Sequence, residues 1–358
     1  MRGLLSVIIL LTFGMSVSSK AAEPVHVGVA SVLSGDLQNL GQNIVRTVET
    51  YQRHWARHPM RFSYEDSRIS SADGLRAYQA LINVKKVDVI IGGVSSNGTL
   101  AGSALINASR TATLLPVTGG TNVDRAGEYI FRIANSDLLN GVDQAELFKA
   151  RNMLRVALFT EETEATADTA EPFRKRFAEL GGTLVFDETF LPGSTDFRSH
   201  AVKILSLKPQ AIFVPTQTGL ALALFLKQLA EVGSFNGEVH TTFTAALNPD
   251  AKTIAGDLMR GLYYMAPKYA ADSQRLKDFF ARYREDHGQD PDIPFHTAAT
   301  VDALDLLERY LDTTSRFDRV GFHDFLITKV KSYPGLLATF SLDKDGNSDV
   351  GFAPAQMQ

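Results

Sequence analysis

The sequence predicts an α/β protein with two lobes, each a parallel β-sheet doubly wound by helices. Short apolar, β-branched runs alternate with longer helical patterns along most of the chain, as in sheets built with crossover helices. Without an N-terminal leader about 337 of the 358 residues remain, more than one hydrophobic core usually holds. No Gly/Ser linker separates two units, which indicates that the chain passes between the lobes more than once.

In the first part of the chain, residues 25–30 alternate and are rich in valine, which predicts a strand. Ser70 and Asp73 have side chains suited to capping a helix. Gly92 and Gly93 end a short apolar run that is typical of a buried strand. Further strands are predicted at residues 62–66, 87–91 and 113–117, and helices at residues 41–55, from Ser70 and after Ser96.

The same alternation repeats in the second part. Gly181 and Gly182 end one predicted helix, Pro209 follows the next, and Gly233 ends the third. The predicted strands are residues 155–159, 183–188, 211–215, 239–243 and 261–265, and the helices are residues 169–180, 196–207 and 220–232. Two more helices at residues 274–286 and 297–311 precede a hairpin-like segment at residues 336–341.

The first 24 residues have the pattern of a secretory signal peptide. Arg2 precedes an apolar run at residues 4–13, and Ser19-Lys20-Ala21 has small residues where a signal peptidase cleaves. The run is about half the roughly 20 residues that span a bilayer, so cleavage near Ala21 is expected rather than an uncleaved anchor helix. The mature chain is expected to be exported, without membrane insertion.

Composition excludes several functional classes. The net charge of −4 gives no reason to expect nucleic acid as a partner. The absence of cysteine rules out disulfides, thiolate catalysis and cysteine zinc sites. None of the common hydrolase, metalloprotease or nucleotide-binding motifs occurs, so neither an enzyme nor a cofactor is expected. Asp343, Asp345 and Asn347 begin like a calcium loop, but no glutamate completes it, so a turn is expected and no metal site.

An ordered set of segments resembles the periplasmic solute-binding proteins of ABC importers, in particular the leucine/isoleucine/valine-binding type and its amide- and aromatic-acid-binding relatives. No single segment is specific, but together they follow the family's order along nearly the whole mature chain. They are residues 28–35 with Gly41, 64–67, 89–96, 115–121, 129–132, Phe173 with residues 181–182, 302–303 and 340–346.

The resemblance implies a type I periplasmic binding protein fold, two lobes that close on a ligand about a three-crossover hinge. The implied boundaries are a signal peptide at residues 1–21, lobe 1 at residues 22–137 plus 268–332, and lobe 2 at residues 138–267 plus 333–358. Crossovers are expected near residues 136–139, Pro267 and residues 331–336. The implied function is a monomeric periplasmic receptor that delivers a small solute to an ABC-type permease. A sensory receptor of the same fold, which delivers to a membrane signalling partner, is the alternative.

Ser95 and Ser96 follow a predicted strand and begin a helix. Hydroxyl groups and free N–H groups at a helix N-terminus form an anion site. By resemblance, this segment contacts the ligand carboxylate, with Ser96 at the matching position. The alternative is that one of the two serines only caps its helix.

Gly119, Gly120 and Thr121 follow the next strand. Glycines allow a ligand close to the backbone, and a threonine hydroxyl can bond a polar group. The resemblance implies ligand contacts at Gly119 and Thr121. The alternative is a loop and cap that open a short helix.

The resemblance weakens further along the chain. Gln217 stands where leucine-type binders have an aromatic residue, and Thr244 begins the segment where they have a carboxylate for the ligand's ammonium. Without a counter-charge, a desolvated ammonium costs several kcal/mol, so a carboxylate or neutral polar solute is favoured over an α-amino acid. Both residues remain candidate ligand contacts.

Glutamates at residues 161–164 offer a replacement charge, since Glu161, Glu162 or Glu164 could face the ligand. The alternative is that this run is a solvated loop. His296 is expected to be packed or exposed rather than a ligand contact.

Overall fold

The structure is a computed structural model that describes residues 23–35, 37–348 and 350–358. The predicted signal peptide lies outside the described residues. Lobe 1 begins with a sheet whose five strands are all parallel, in the order β2-β1-β3-β4-β5. Its strands are β1 (Val25–Ser31), β2 (Met60–Asp66), β3 (Val89–Gly92), β4 (Thr113–Leu115) and β5 (Ile130–Arg132). The helices between them are α1 (Gln38–His54), α2 (Ser71–Gln79), which continues as one π-helical turn to Val84, and α3 (Ser96–Ser109).

The chain then leaves lobe 1 and builds lobe 2. Its helices are α4 (Asp137–Ala150), α5 (Glu164–Glu179), α6 (Arg198–Leu207), α7 (Gly219–Val232), α8 (Phe243–Ala246) and α9 (Pro249–Ala255). Its strands are β6 (Arg155–Glu161), β7 (Thr183–Phe190), β8 (Ala211–Val214), β9 (Glu238–Thr242) and β10 (Tyr263–Pro267). Phenylalanines such as Phe159 and Phe213 fill the two faces of this sheet and are fully buried.

The chain returns to lobe 1 with α10 (Gln274–His287), α11 (Pro294–Leu311) and α12 (Arg319–Lys329). Almost every residue of α11 is buried, because the helix lies between the first sheet and its neighbouring helices. Two short strands follow, β11 (Tyr333–Pro334) and β12 (Thr339–Phe340), paired antiparallel. Last, β13 (Phe352–Gln356) joins the second sheet antiparallel to β10 and completes the order β13-β10-β9-β8-β6-β7.

The predicted α/β class with two doubly wound parallel-sheet lobes is confirmed, with β13 the one antiparallel strand among the described residues of the two large sheets. The third crossover was predicted too early, near residues 331–336. Tyr333, Phe340 and Leu342 pack in the lobe 1 core, and the chain joins the second sheet only at β13. The buried carboxylate of Asp302 explains this, because it accepts hydrogen bonds from the N–H groups of Leu336 and Leu337 and ties their loop to α11.

The acidic segment at residues 343–347 forms a turn. The N–H groups of Asp345 and Asn347 donate to the Asp343 carboxylate at 2.9 and 2.8 Å. Across the described ranges, no group of three or more metal-ligating side chains comes together. In the same ranges no helix has the length and apolarity to span a membrane.

Candidate functional site

A cleft of about 310 Å³ lies between the lobes, at the carboxyl ends of the strands. Both lobes contribute polar and apolar side chains to it. From lobe 1 come Leu37, Leu40, Ile69, Val94, Ser95, Ser96, Asn97, Val117, Gly119, Gly120, Asn122 and His296. From lobe 2 come Asp137, Asn140, Thr163, Glu164, Ala165, Thr166, Asp168, Thr169, Gln217, Thr242, Phe243 and Thr244.

The N-terminus of α3 faces this cleft. Ser95 is the helix cap: its hydroxyl accepts from the Gly98 N–H at 3.2 Å and donates to the Ile69 carbonyl at 2.9 Å. Ser96 is the first residue of the helix, and its hydroxyl has no protein partner in the described part of the chain. The N–H groups of Ser96 and Asn97 have no acceptor within the helix, as in any first turn. The two serines therefore divide the roles: Ser95 caps, and Ser96 faces the cleft.

Gly119 and Gly120 lie beside this helix end. A side chain at Gly120 would collide with the Ser96 hydroxyl, and one at Gly119 would collide with the Asp137 carboxylate. The Gly119 carbonyl also accepts from the Asp137 N–H at 2.7 Å. These two positions stay open because they are glycine.

Thr121 differs from the prediction, since it does not line the cleft. Its N–H and its hydroxyl both donate to the Asp168 carboxylate of α5, at 2.8 and 2.7 Å. Beside it, the Asn122 amide donates to the Glu164 carboxylate. These interlobe hydrogen bonds join the loop after β4 to α5. The donors of Thr121 are thus used by the other lobe.

Gln217 and Thr244 line the cleft from lobe 2. The Gln217 N–H donates to the Glu161 carboxylate at 2.9 Å, and the Thr244 hydroxyl lies 3.1 Å from that of Thr242. Glu161 is 1% exposed, because it accepts from this N–H and from two threonine hydroxyls in the loop after β8. The solvated-loop alternative is therefore wrong for Glu161, which fixes a neighbouring loop, while Glu164 reaches the cleft.

Asp137 is the main cleft residue that the sequence did not reveal. It is the first residue of α4, half-buried, and its carboxylate has no hydrogen-bond partner among the described residues. Burial, and then the nearby charge of Asp168, raise the pKa of Asp137 to about 7, and Arg132 opposes that rise. With Asp168 and Glu164, it places three carboxylates on the lobe 2 side. Its only sequence signal was its place after the last strand of the first sheet.

His296 and Asn140 were also missed as cleft residues. His296 is packed, as expected, with 4% exposure, but it lines the cleft. Burial lowers the pKa of His296 to about 3, so the imidazole is neutral at pH 7. Asn140, on α4, is 2% exposed. Both side chains come from helices that read as ordinary packing elements.

The chain matches the sequence profile of the family described as periplasmic binding protein over residues 24–358, and it belongs to that family. The family resemblance predicted from the sequence is confirmed. Members of this family bind solutes and are not enzymes.

Solved structures agree on the fold. The leucine-binding protein LivK of Thermotoga maritima is 22% identical with a TM-score of 0.81, covering 93% of this chain and 95% of its own. A solute-binding protein of an ABC transporter from R. palustris, in complex with 4-hydroxybenzoate, is 20% identical with a TM-score of 0.82 and coverages of 94% and 93%. LivJ of Streptococcus pneumoniae, in complex with isoleucine, is 18% identical with a TM-score of 0.79 and coverages of 93% and 100%. Amino acids and benzoates are thus both bound on this fold.

Proposed function

We propose that this chain is a periplasmic receptor that captures a small carboxylate-bearing solute between its lobes and delivers it to an ABC-type permease. The family match and the two-lobed fold support the class of protein. The residues that line the cleft support a carboxylate-bearing solute.

The observation that carries the proposal is the uncovered N-terminus of α3. The helix dipole, the free N–H groups of Ser96 and Asn97 and the Ser96 hydroxyl all favour an anion there. No acidic side chain lies in the first turn of this helix. Gly119 and Gly120 leave room beside it. A carboxylate fits this end of the cleft, and it is the ionised group that 4-hydroxybenzoate and isoleucine, the ligands of two of the similar structures, have in common.

The lobe 2 side of the cleft bears on whether the solute can carry a protonated amine. The segment at Thr244 lacks the acidic residue expected for an ammonium, but Asp137 and Asp168 line the cleft from α4 and α5. A carboxylate without a partner in a desolvated site is stabilised by a cation. Amino acids, which the sequence alone disfavoured, are therefore candidate solutes together with acids that lack an amine. Apolar side chains such as Leu40, Val117 and Phe243 suit the solute's body.

A calorimetric screen of the purified mature protein tests this. The panel pairs amino acids, aliphatic acids and aromatic acids with their primary amides, which keep the shape but remove the charge of the carboxylate. We expect binding of at least one acid, and about 10-fold or weaker binding of its amide, since hydrogen bonds to a charged group contribute about 1.5–3 kcal/mol.

Ser96→Ala should weaken acid binding by a similar factor. The matched control is Ser103→Ala on the same helix, whose hydroxyl bonds only the Leu100 carbonyl of its own helix. The control should bind like the wild type. The proposal fails if no acid binds, or if Ser96→Ala binds every acid as tightly as the control does.

A further inference from the structure

The loop after β4 borders the cleft on one side and is tied to the crossovers on the other. It comprises residues 119–125 and ends in one 3₁₀ turn (Thr121–Arg125). Gly119 and Gly120 line the cleft, and Thr121 donates to the Asp168 carboxylate of the other lobe. The position of this 119–125 loop therefore determines both the room beside α3 and a contact between the lobes.

Asp124 is the residue through which two crossovers hold the 119–125 loop. Its carboxylate forms an ion pair with Arg132, with Oδ1 and Nη1 2.6 Å apart. Arg132 is the last residue of β5, directly before the first crossover. The Asp124 carbonyl accepts a hydrogen bond of 3.1 Å from the side-chain amide of Asn347, which lies in the third crossover between β12 and β13. Arg132 Nη1 also lies 3.5 Å from the Gly119 carbonyl, so the loop is held near both of its ends.

The first and third crossovers are joined to each other at the same place. The Arg132 N–H donates to the Gly346 carbonyl, and the Arg132 carbonyl accepts from the Ser348 N–H, both at 2.9 Å. The Ser348 hydroxyl lies 3.0 Å from the carbonyls of Ile133 and Ala134. These bonds make one unit of the lobe 1 ends of two crossovers, and the 119–125 loop is attached to that unit.

Both ties are fixed by their surroundings. Arg132 is 3% exposed, and a buried charge is retained only when it is paired, so the guanidinium determines where the Asp124 carboxylate must lie. Asn347 is held by the acidic turn, because its N–H donates to the Asp343 carboxylate at 2.8 Å. The turn at residues 343–347 thus presents the Asn347 amide to the loop.

We propose that Arg132 and Asn347 are positioning residues for ligand capture. By holding Asp124 they fix the 119–125 loop, so that its glycines border the cleft and Thr121 reaches Asp168 when the lobes are together. The importance of this loop for capture rests on the proposed function. The ties themselves can be tested without a solute.

Amide hydrogen exchange, followed by NMR on the mature protein stripped of solute in urea and refolded, tests the assignment. The Thr121 N–H reports the contact with Asp168. The Ile90 N–H, bonded to the Ala112 carbonyl within the first sheet, reports the opening of lobe 1 as a whole. A loosened loop should expose the first amide without exposing the second.

Asn347→Ala removes the side-chain donor to the Asp124 carbonyl. The Thr121 N–H should then exchange about 10-fold faster or more, while the exchange rate of the Ile90 N–H stays within about 3-fold of the wild type. Asp124→Asn keeps an oxygen acceptor but removes the charge that pairs with Arg132, and it should act in the same direction. This second variant serves as the test if the first does not fold.

Asp305→Asn is the matched control. Asp305 is another carboxylate of lobe 1 that pairs with an arginine, since it is 7% exposed on α11 and bonds Arg275 of α10. Its substitution should leave the ratio of the Thr121 and Ile90 exchange rates unchanged. Equal acceleration of both amides in the Asn347 and Asp124 variants would show that the ties only stabilise lobe 1, and would overturn the inference. A Thr121 rate that does not change, or a Thr121 N–H that is unprotected in the wild type, would overturn it as well.

The outcome is separate from that of the solute screen. If no acid binds, the proposed function fails, while the exchange rates still show whether Arg132 and Asn347 hold the loop. If acids bind and lose affinity in Ser96→Ala, but the exchange rate of Thr121 is the same in every variant, only the positioning role is lost.

Discussion

Two of the helix N-termini at the cleft, that of α3 in lobe 1 and that of α5 in lobe 2, differ in how they are covered. The α5 end is closed by a reciprocal pair of bonds between Thr163 and Thr166, and Glu164 lies in its first turn. The α3 end has only the Ser95 cap and no acidic residue. The two helix dipoles have the same direction relative to their N-termini, but the side chains at the two ends differ in charge. An anion is favoured at α3 and disfavoured at α5, which gives the cleft a donor side and an acidic side.

The largest expected effect comes from removing that difference. Ser96→Asp puts a carboxylate on the first turn of α3 and should lower the affinity for acids by about 100-fold or more, because like charges in a closed site cost several kcal/mol. The fold should not suffer, since an acidic residue in a first turn stabilises a helix. Calorimetry and thermal unfolding measure the two quantities. Affinity within a few-fold of the wild type would show that the anion binds elsewhere.

The acidic side is tested by Asp137→Asn. Solutes with a protonated amine should bind roughly 10-fold more weakly or worse, while acids without an amine should bind equally or better, because the cation loses its partner and the anion loses a repulsion. Glu146→Gln, on the same helix and paired with Arg176, is the control. Equal losses for both classes of solute would contradict the division of the cleft.

The pH dependence of ligand binding also tests the role of Asp137. The pKa of Asp137 is about 7 in the fold, above its ordinary value of 3.8. In the wild type, affinity for an amine-bearing solute should rise as the pH passes upward through about 7, where Asp137 ionises, and affinity for an acid without an amine should fall. The same carboxyl affects stability, because the folded state binds its proton more tightly than the unfolded state does. Its contribution makes the unfolding free energy fall as the pH rises from about 4 to about 7. Asp137→Asn should remove the pH dependence of binding and this contribution to the pH dependence of stability. If the variant keeps the wild-type pH profile of binding, Asp137 does not have this role.

A smaller effect is expected at the interlobe hydrogen bonds. Thr121→Val removes the hydroxyl donor to Asp168 and should weaken all solutes alike, by up to about 10-fold, mainly through faster release. A double-mutant cycle with Asp168→Asn should show coupling between the two positions. If Thr121 contacts the ligand instead, the loss of affinity will differ from one solute to the next. The effects of the two substitutions will then add, without coupling between Thr121 and Asp168.

The smallest effect is expected at Ser95. Ser95→Ala removes the cap of α3 and should lower the unfolding free energy by about 1 kcal/mol, as cap substitutions typically do. Ligand affinity should stay within about 2-fold. Denaturation in urea and calorimetry check the pair of values, and a large loss of affinity with no loss of stability would assign the ligand contact to Ser95 rather than Ser96.

The sequence was informative where local signals define the site. Ser96, Gly119 and Gly120 follow apolar strands and precede helices, so their place at the strand ends could be predicted from neighbouring residues alone. Asp137, Asn140 and His296 could not be found in this way, because they lie on helices whose cleft-facing side depends on packing between lobes. The partner of Thr121 is 47 residues away in the other lobe, and no local pattern indicates it.

The third crossover illustrates the same limit. The apolar residues from Tyr333 to Leu342 suit either core equally well as a sequence pattern. The tie that fixes them in lobe 1 is the Asp302 carboxylate, which lies 34 residues before Leu336 in the chain. Periodicity predicts that such a segment is buried, but only the long-range hydrogen bond decides in which lobe.

A crystal structure of the complex with the tightest-binding acid from the screen tests the division of the cleft most directly. The solute's carboxylate should lie within hydrogen-bonding distance of the Ser96 hydroxyl and the Asn97 N–H, with any amine toward Asp137. A carboxylate bound at the first turn of α5, or outside the cleft, would contradict the account.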